Sequence, residues 1–195
     1  TCTASFLDFS YSAEVDQVGS GGPMATFTET GGGYFGTFRT SLGGPVVGGT
    51  GLNNNYSMYF VFTAAGSTTP GSAGTINGTF SSFNYTMYVD RDMDTDLSVV
   101  GAGGVNESVS VIGDNDDDIA VLEGTLIPGF GGFHIAGGLA NGDFDVISTA
   151  VALNGFFGGD AFMDGVGETD INGVNSIING IPAGNPFGDA SDITL

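Results

Sequence analysis

Alternation of apolar and polar side chains is the feature that most limits how this chain can fold. From Leu7 to Val15 the odd positions are Leu, Phe, Tyr, Ala and Val, and the even positions are Asp, Ser, Ser and Glu. Successive side chains of a β-strand point to opposite faces, so this pattern predicts a strand with one buried and one solvated face. Helical periodicity is almost absent, and only Gly167 to Gly180 allows a short helix.

Further strand patterns follow along the chain, separated by turns of Gly, Asn, Asp, Ser and Pro. Met24 to Thr30 and Tyr34 to Thr40 flank Gly31 to Gly33, which we interpret as a hairpin with a glycine turn. Tyr56 to Ala64 is nearly apolar on both faces and is predicted to be a central strand. The other candidates are Thr75 to Asp90, Leu97 to Gly101, Glu107 to Ile112, Ile119 to Ile127, Gly132 to Ala136 and Asp143 to Leu153.

These strand signals predict one all-β domain over residues 1–195. Hydrophobic residues make up 41% of the chain, with 16 Phe and 6 Tyr, which is enough to bury a core. The expected architecture is an antiparallel, jelly-roll-like β-sandwich. Its long glycine-rich loops are predicted at Ser41 to Asn55 and at Gly155 to Gly173.

Charge excludes several classes of function. The chain has no lysine, two arginines and 22 acidic residues, for a net charge of −20. Nucleic acids and anionic lipids bind through cationic side chains, so neither is an expected partner. The same lack of cations argues against an enzyme that holds a phosphorylated substrate. No run of about 18 apolar residues predicts a membrane span.

Catalytic motifs do not stand out either. His134 is the only histidine and has apolar neighbours, which favours a packed or edge residue over a general base. The Gly-x-Ser-x-Gly motif of serine hydrolases does not occur, and no pair of carboxylates is singled out among the 22 acidic residues. We therefore predict that the protein is not an enzyme. Tyrosines are candidate platforms for a sugar, although core packing is favoured for them: Tyr34, Tyr56, Tyr59, Tyr85 and Tyr88.

Aspartates form the strongest candidate binding pattern. The segment VDRDMDTD contains Asp90, Asp92, Asp94 and Asp96 at alternate positions. In a strand their carboxylates would lie on one face about 6 to 7 Å apart. In a loop they could converge on a structural Ca²⁺ ion, which takes about six to eight oxygen ligands. A second cluster, GDNDDD, contains Asp114, Asp116 and Asp118. Neither matches an EF-hand loop, and the alternative for both is a solvated acidic turn.

Cys2 is the only cysteine. In a secreted protein an unpaired cysteine predicts a disulfide with a lost segment or with a neighbouring chain. The alternative is a free thiol at a frayed end.

Three segments resemble secreted bacterial proteins of the flocculation-associated PEP-CTERM type: MATFTETGGGYFGTF, NGTFSSFNYTMYVDRDMDTD and GTLIPGFGGFHIAGGLANGDFDVISTAVALNGFF. Members of that family carry a signal peptide, a β domain rich in Gly, Thr and Phe, and a C-terminal sorting signal, and they are linked to exopolysaccharide-embedded flocs and biofilms. The chain departs from the family in ending at Leu195 without the sorting signal and in having Cys2 alone where a pair is common. The resemblance implies an extracellular or cell-surface location and an exopolysaccharide partner.

These observations together predict a secreted structural protein of the bacterial matrix or cell surface that assembles into filaments or sheets and contributes to biofilm or floc formation. Natural monomers protect their edge strands with Lys or Pro, and both are scarce in the strand candidates. We therefore expect Thr1 to Val15 to pair with a neighbouring subunit by strand addition. The alternative is a calcium-dependent carbohydrate-binding or adhesin domain.

Overall fold

The computed structural model describes residues 6–18, 25–40, 44–46, 50–100, 108–135, 141–153, 166–178 and 191–194. Within these ranges the chain forms ten β-strands and one short 3₁₀ turn at Ser72–Gly74. The strands are β1 (Phe6–Val18), β2 (Ala25–Arg39), β3 (Ser57–Pro70), β4 (Ile76–Asp90), β5 (Asp96–Val100), β6 (Ser108–Ile112), β7 (Ile119–Ile135), β8 (Asn141–Ala152), β9 (Val166–Ile178) and β10 (Ser191–Thr194). Cys2 and its predicted disulfide lie outside the described residues.

Eight of these strands close into an antiparallel barrel in the order β1-β10-β9-β8-β7-β4-β3-β2. The remaining two, β5 and β6, form a separate two-stranded sheet that is inserted between β4 and β7. The prediction of an all-β antiparallel fold is confirmed. Most strands that are consecutive in the chain are neighbours in the barrel, so the connections are those of successive hairpins rather than the crossing connections of a jelly roll.

Within the described part of the chain, no helix has the length and apolarity that a membrane span requires.

Several predicted strands are confirmed, and two local predictions are wrong. The apolar segment Tyr56 to Ala64 belongs to β3, which lies between β2 and β4 as expected for a central strand. Gly31 to Gly33 do not form a turn, because β2 runs straight through them and pairs with both β1 and β3. The region predicted as loop or short helix around Gly167 to Gly180 contains β9, whose Val, Thr and Ile residues pair with β8.

Glycines within the strands make room for aromatic rings inside the barrel. Among the glycines that lie directly opposite an aromatic residue of a neighbouring strand are Gly31 opposite Phe62, Gly66 opposite Phe27, Gly78 opposite Phe133 and Gly124 opposite Tyr85. A Cβ atom at any of these positions would overlap the opposite ring. An eight-stranded barrel is just wide enough for side chains to fill its interior, so large rings on one strand require small residues on the next.

Ser148 and Glu29 are among the polar residues buried in the barrel strands. The hydroxyl of Ser148, which is fully buried, donates a hydrogen bond to the Tyr85 hydroxyl at 3.2 Å. Glu29 is 8% exposed and lies on β2 opposite Val15 and Ala64. Burial raises the pKa of Glu29 to about 8, so its carboxyl group is mostly protonated at neutral pH.

The edge predicted for strand addition is occupied within the chain. β1 pairs with β2 on one side, and its residues Ser12, Ala13, Glu14 and Val15 pair with β10 on the other. The prediction that Thr1 to Val15 pairs with a neighbouring subunit requires a free edge, and Ser12 to Val15 do not offer one while β10 is in place. A neighbouring chain can reach this edge only by displacing β10.

Candidate functional site

Asp90 organises the turn that joins β4 to β5. Its carboxylate is fully buried and accepts hydrogen bonds from the Met93 N–H at 2.6 Å, the Ser57 hydroxyl at 3.0 Å and the Thr95 N–H at 3.2 Å. Burial alone would raise the pKa of Asp90, but these three hydrogen bonds outweigh it and lower the pKa. Met93 has a left-handed backbone with φ of 62°, which bends the chain back over the Asp90 carboxylate.

Three predicted ligands converge at this turn. One carboxylate oxygen each from Asp90, Asp92 and Asp94 lies within 4.8 Å of the others. The pKa of Asp92 is raised by desolvation and by the negative charges of Asp117 and Asp94. The pKa of Asp94 is raised by desolvation first, and then by the charges of Asp114 and Asp90. The clustered negative charges therefore disfavour the ionised forms of Asp92 and Asp94, and a bound cation would relieve that repulsion.

The second acidic turn meets the first through Asp118. Its Oδ2 atom accepts hydrogen bonds from the Tyr59 hydroxyl at 2.7 Å and from the Thr95 hydroxyl at 2.8 Å. Its Oδ1 atom is buried and has no hydrogen-bond partner among the residues that the structure describes. Burial, followed by the hydrogen bond to Asp118, raises the pKa of Tyr59. Two clusters that are far apart in the sequence thus come together at one end of the barrel.

The other predicted ligands have different roles. Asp96 lies at the base of the β5–β6 hairpin, where its Oδ1 atom accepts a hydrogen bond from the Tyr34 hydroxyl at 2.6 Å. Burial and this hydrogen bond raise the pKa of Tyr34 to about 12. Asp114 accepts a hydrogen bond from the Asp116 N–H and stabilises its own turn, while the Asp116 side chain is exposed. Of the two arrangements considered for Asp90 to Asp96, the extended one does not occur, because β4 ends at Asp90 and β5 begins only at Asp96.

Other candidate residues lie elsewhere. His134 is exposed on β7, opposite Asn77 and Asp143 of the neighbouring strands. The packing interpretation is confirmed for three tyrosines that are at most 8% exposed: Tyr56, Tyr59 and Tyr85. Tyr59 also stacks on Tyr88 with ring centroids 5.0 Å apart.

The donors at the acidic turns are carboxylate oxygens, which suit hard cations such as Ca²⁺ and Mg²⁺. Asp92 and Asp94 are exposed and have oxygens available to a cation, while Asp90 already accepts three hydrogen bonds. Sequence reasoning missed Ser57, Tyr59 and Thr95, which hold these carboxylates in place. No local pattern marks them, because their contacts depend on the register between β3 and β4 and on how the two turns meet.

Comparison of the chain with protein-family models, with curated proteins and with solved structures gives no match. The resemblance to PEP-CTERM proteins therefore stays a prediction, and function has to be inferred from the geometry of the chain itself.

Proposed function

We propose that the chain is a secreted, non-catalytic structural protein of the bacterial extracellular matrix or cell surface, which self-associates through strand pairing and contributes to biofilm or floc formation. The observation that supports this proposal is the short strand that closes the barrel. β10 has four residues and pairs with β1 over Ser12 to Val15. Within the described ranges, its pairing with β9 is limited to Ile177 and Ile178.

Exchange of β10 between copies would turn this closure into an assembly contact. When β10 leaves, it exposes unpaired N–H and C=O groups along one side of β1 and of β9, which form a template for another strand. The β10 of a second copy makes the same backbone hydrogen bonds, because its sequence is identical. Exchange therefore costs mainly the entropy of association, and it becomes favourable at high local protein concentration.

A disulfide across the β1–β10 pair tests this proposal. Ser12 and Thr194 are register partners, and paired strand residues have Cα separations within the range that a disulfide spans. We expect the variant Ser12→Cys with Thr194→Cys, in a Cys2→Ser background, to remain monomeric when it is oxidised before assembly. Oxidation after assembly should instead give covalent multimers on a non-reducing gel.

The reduced form of the same variant is the matched control and should assemble like the wild type. Ser12→Cys alone controls for the substitution and for disulfides formed at random. Equal assembly of the oxidised and reduced forms, measured by light scattering and electron microscopy, would show that β10 exchange is not the mode of association.

A second candidate function is a calcium-dependent carbohydrate-binding or adhesin domain, and the convergence of Asp90, Asp92 and Asp94 favours it. A net charge of −20 opposes both compaction and the approach of like chains. A divalent cation at this cluster would reduce that repulsion. Because such an ion binds the folded chain, it would also stabilise the fold by mass action.

We expect Ca²⁺ at about ten times its dissociation constant to add about 1.4 kcal/mol to the free energy of unfolding. This corresponds to a rise in melting temperature of about 3 to 6 °C for a domain of this size. The reference is NaCl of equal ionic strength, and the readout is thermal unfolding after removal of metal with EDTA. Asp92→Asn with Asp94→Asn should abolish most of the rise.

The control variant is Glu123→Gln with Asp145→Asn. It removes the same two charges at exposed positions outside the three-carboxylate cluster and should retain the response to Ca²⁺. Identical melting in Ca²⁺ and in matched NaCl would identify the acidic turns as solvated loops without a bound ion.

A further inference from the structure

A groove lies on the outer surface of the barrel beside the β5–β6 hairpin. It has a volume of about 610 Å³, its floor is formed by β2, β3, β4, β7 and β8, and Val109 and Val111 of β6 contribute to its wall. The hairpin approaches the barrel closely at Gly32, where an added Cβ would lie 3.1 Å from Leu97 Cδ1 and 3.4 Å from Val109 Cγ1. The volume is within the range of about 300 to 1,000 Å³ that is typical of small-molecule sites.

The floor of the groove carries a continuous row of polar side chains. Each member is the register partner of the next across five strands: Thr30, Thr63, Asn84, Thr125 and Thr149. Adjacent strands are about 4.8 Å apart, so the row presents hydrogen-bonding groups at that interval. Within the described ranges, the exposed side chains of Thr63, Asn84 and Thr125 make no hydrogen bond.

A second row lies beside the first on the same face of the sheet, two residues away along each strand. It consists of Val61, Thr86, Glu123 and Val151, which are also register partners. Among the described residues that line the groove, Glu123 is the only charged one. The groove thus combines hydroxyl, amide and carboxylate groups with the methyl groups of valine and threonine.

This chemistry selects among the possible ligands. An anionic ligand would meet Glu123 and no cation, so it is disfavoured. A wholly apolar ligand would bury the hydroxyl and amide groups without partners, at a cost of about 1 to 3 kcal/mol for each group. A peptide strand needs a sheet edge, whereas the floor is the face of a sheet whose strands are paired on both sides. A neutral sugar offers hydroxyls for the polar rows and C–H surface for the methyl groups.

We propose that this groove binds a neutral oligosaccharide. Thr63, Asn84 and Thr125 exchange hydrogen bonds with sugar hydroxyls, and Glu123 accepts hydrogen bonds from a further hydroxyl. The inference is independent of assembly through β10. It shares only the class of ligand with the second candidate function above, because it places the site away from the acidic turns and requires no metal.

Binding is measured with the full chain in EDTA against short neutral glucan, mannan and galactan oligomers, with uronic-acid oligomers as the anionic comparison. We expect saturable binding of at least one neutral oligomer. Thr63→Val removes one hydroxyl at nearly constant shape and should weaken binding by about fivefold, the equivalent of one hydrogen bond. Glu123→Gln should weaken it by about tenfold, because hydrogen bonds to charged groups are stronger.

Thr28→Val is the matched control. Thr28 is exposed on the same outer face of β2 but does not line the groove, so its substitution should leave the affinity unchanged.

Absence of binding to every neutral oligomer, or preference for uronic acids, would overturn the proposal. The measurement is repeated in Ca²⁺. Binding that appears only there, survives both groove substitutions and is lost in Asp92→Asn with Asp94→Asn would also overturn the proposal, while supporting a calcium-dependent carbohydrate site. Assembly is scored separately in the same variants, which should assemble normally.

Discussion

Glu29→Gln is expected to raise the free energy of unfolding by about 5 kcal/mol at pH 9 and to leave it almost unchanged at pH 4. The Glu29 carboxyl group lies inside the barrel between Val15 and Ala64, and within the described ranges it has no hydrogen-bond or ion-pair partner. Glutamine keeps the size and polarity of the protonated acid but has no ionised form. The substitution therefore removes only the cost of keeping this carboxyl group neutral.

The direction follows from the two pKa values of Glu29. Burial raises its pKa in the folded state to about 8, from the ordinary value of 4.5 that the group has in the unfolded chain. Below pH 4.5 the group is protonated in both states and contributes no pH dependence. Between pH 4.5 and 8 the unfolded state loses its proton first, so the wild type loses about 1.4 kcal/mol of stability per pH unit. Above pH 8 the loss is complete.

Denaturant unfolding at pH 4, 7 and 9 measures this effect. Glu123→Gln removes one negative charge from an exposed position, and we expect it to change stability by less than about 0.5 kcal/mol at each pH. A gain for Glu29→Gln that is independent of pH, or an equal gain for Glu123→Gln at pH 9, would mean that burial does not shift the titration of Glu29.

The strands were predictable from sequence where their signal is local. Tyr56 to Ala64 is apolar on both faces, and this alone indicates a central strand, which β3 is. Gly31 to Gly33 misled the prediction, because a triple glycine between two short strand patterns is typical of a turn. Their place within β2 depends on the Phe62 ring and on the Ser10 carbonyl of the neighbouring strands. Those contacts are set by pairing between residues far apart in the chain.

In the acidic site, too, the features with a local sequence signal were predicted and those that depend on distant residues were not. Asp90, Asp92 and Asp94 were predicted together because they are close in sequence and a turn is enough to gather them. The role of Asp118 was not predicted, because the Tyr59 hydroxyl reaches it across 59 residues of sequence. The burial of Glu29 was also not predicted, although Glu29 follows Phe27 by two residues in β2 and therefore lies on the same face of the strand. Alternation predicts which face of a strand a residue occupies. A carboxyl group on the apolar face of β2 was therefore the sequence signal that could have indicated a buried acid.

Gly31→Ala is expected to lower the free energy of unfolding by about 3 kcal/mol, which is at the upper end of the usual cost of overpacking a core. The added methyl group would overlap the Phe62 ring and lie 2.9 Å from the Ala13 Cβ atom. The Phe62 ring cannot swing aside easily, because it stacks on Phe83 at 5.3 Å and meets the Tyr11 ring edge-on at 5.7 Å. The strain therefore passes into the whole aromatic core rather than being absorbed by one side chain.

Gly44→Ala is the matched control, because its nearest neighbour is the Thr40 hydroxyl oxygen at 3.9 Å, and it should change stability by less than about 0.5 kcal/mol. Combining Gly31→Ala with Phe62→Leu tests the cause directly. Leucine is smaller than the ring, so the two substitutions together should cost less than the sum of their separate effects, with a coupling energy of about 1 to 2 kcal/mol. Strict additivity, or a Gly31→Ala effect as small as that of Gly44→Ala, would mean that the ring can move and that the glycine is not required for the packing of this barrel.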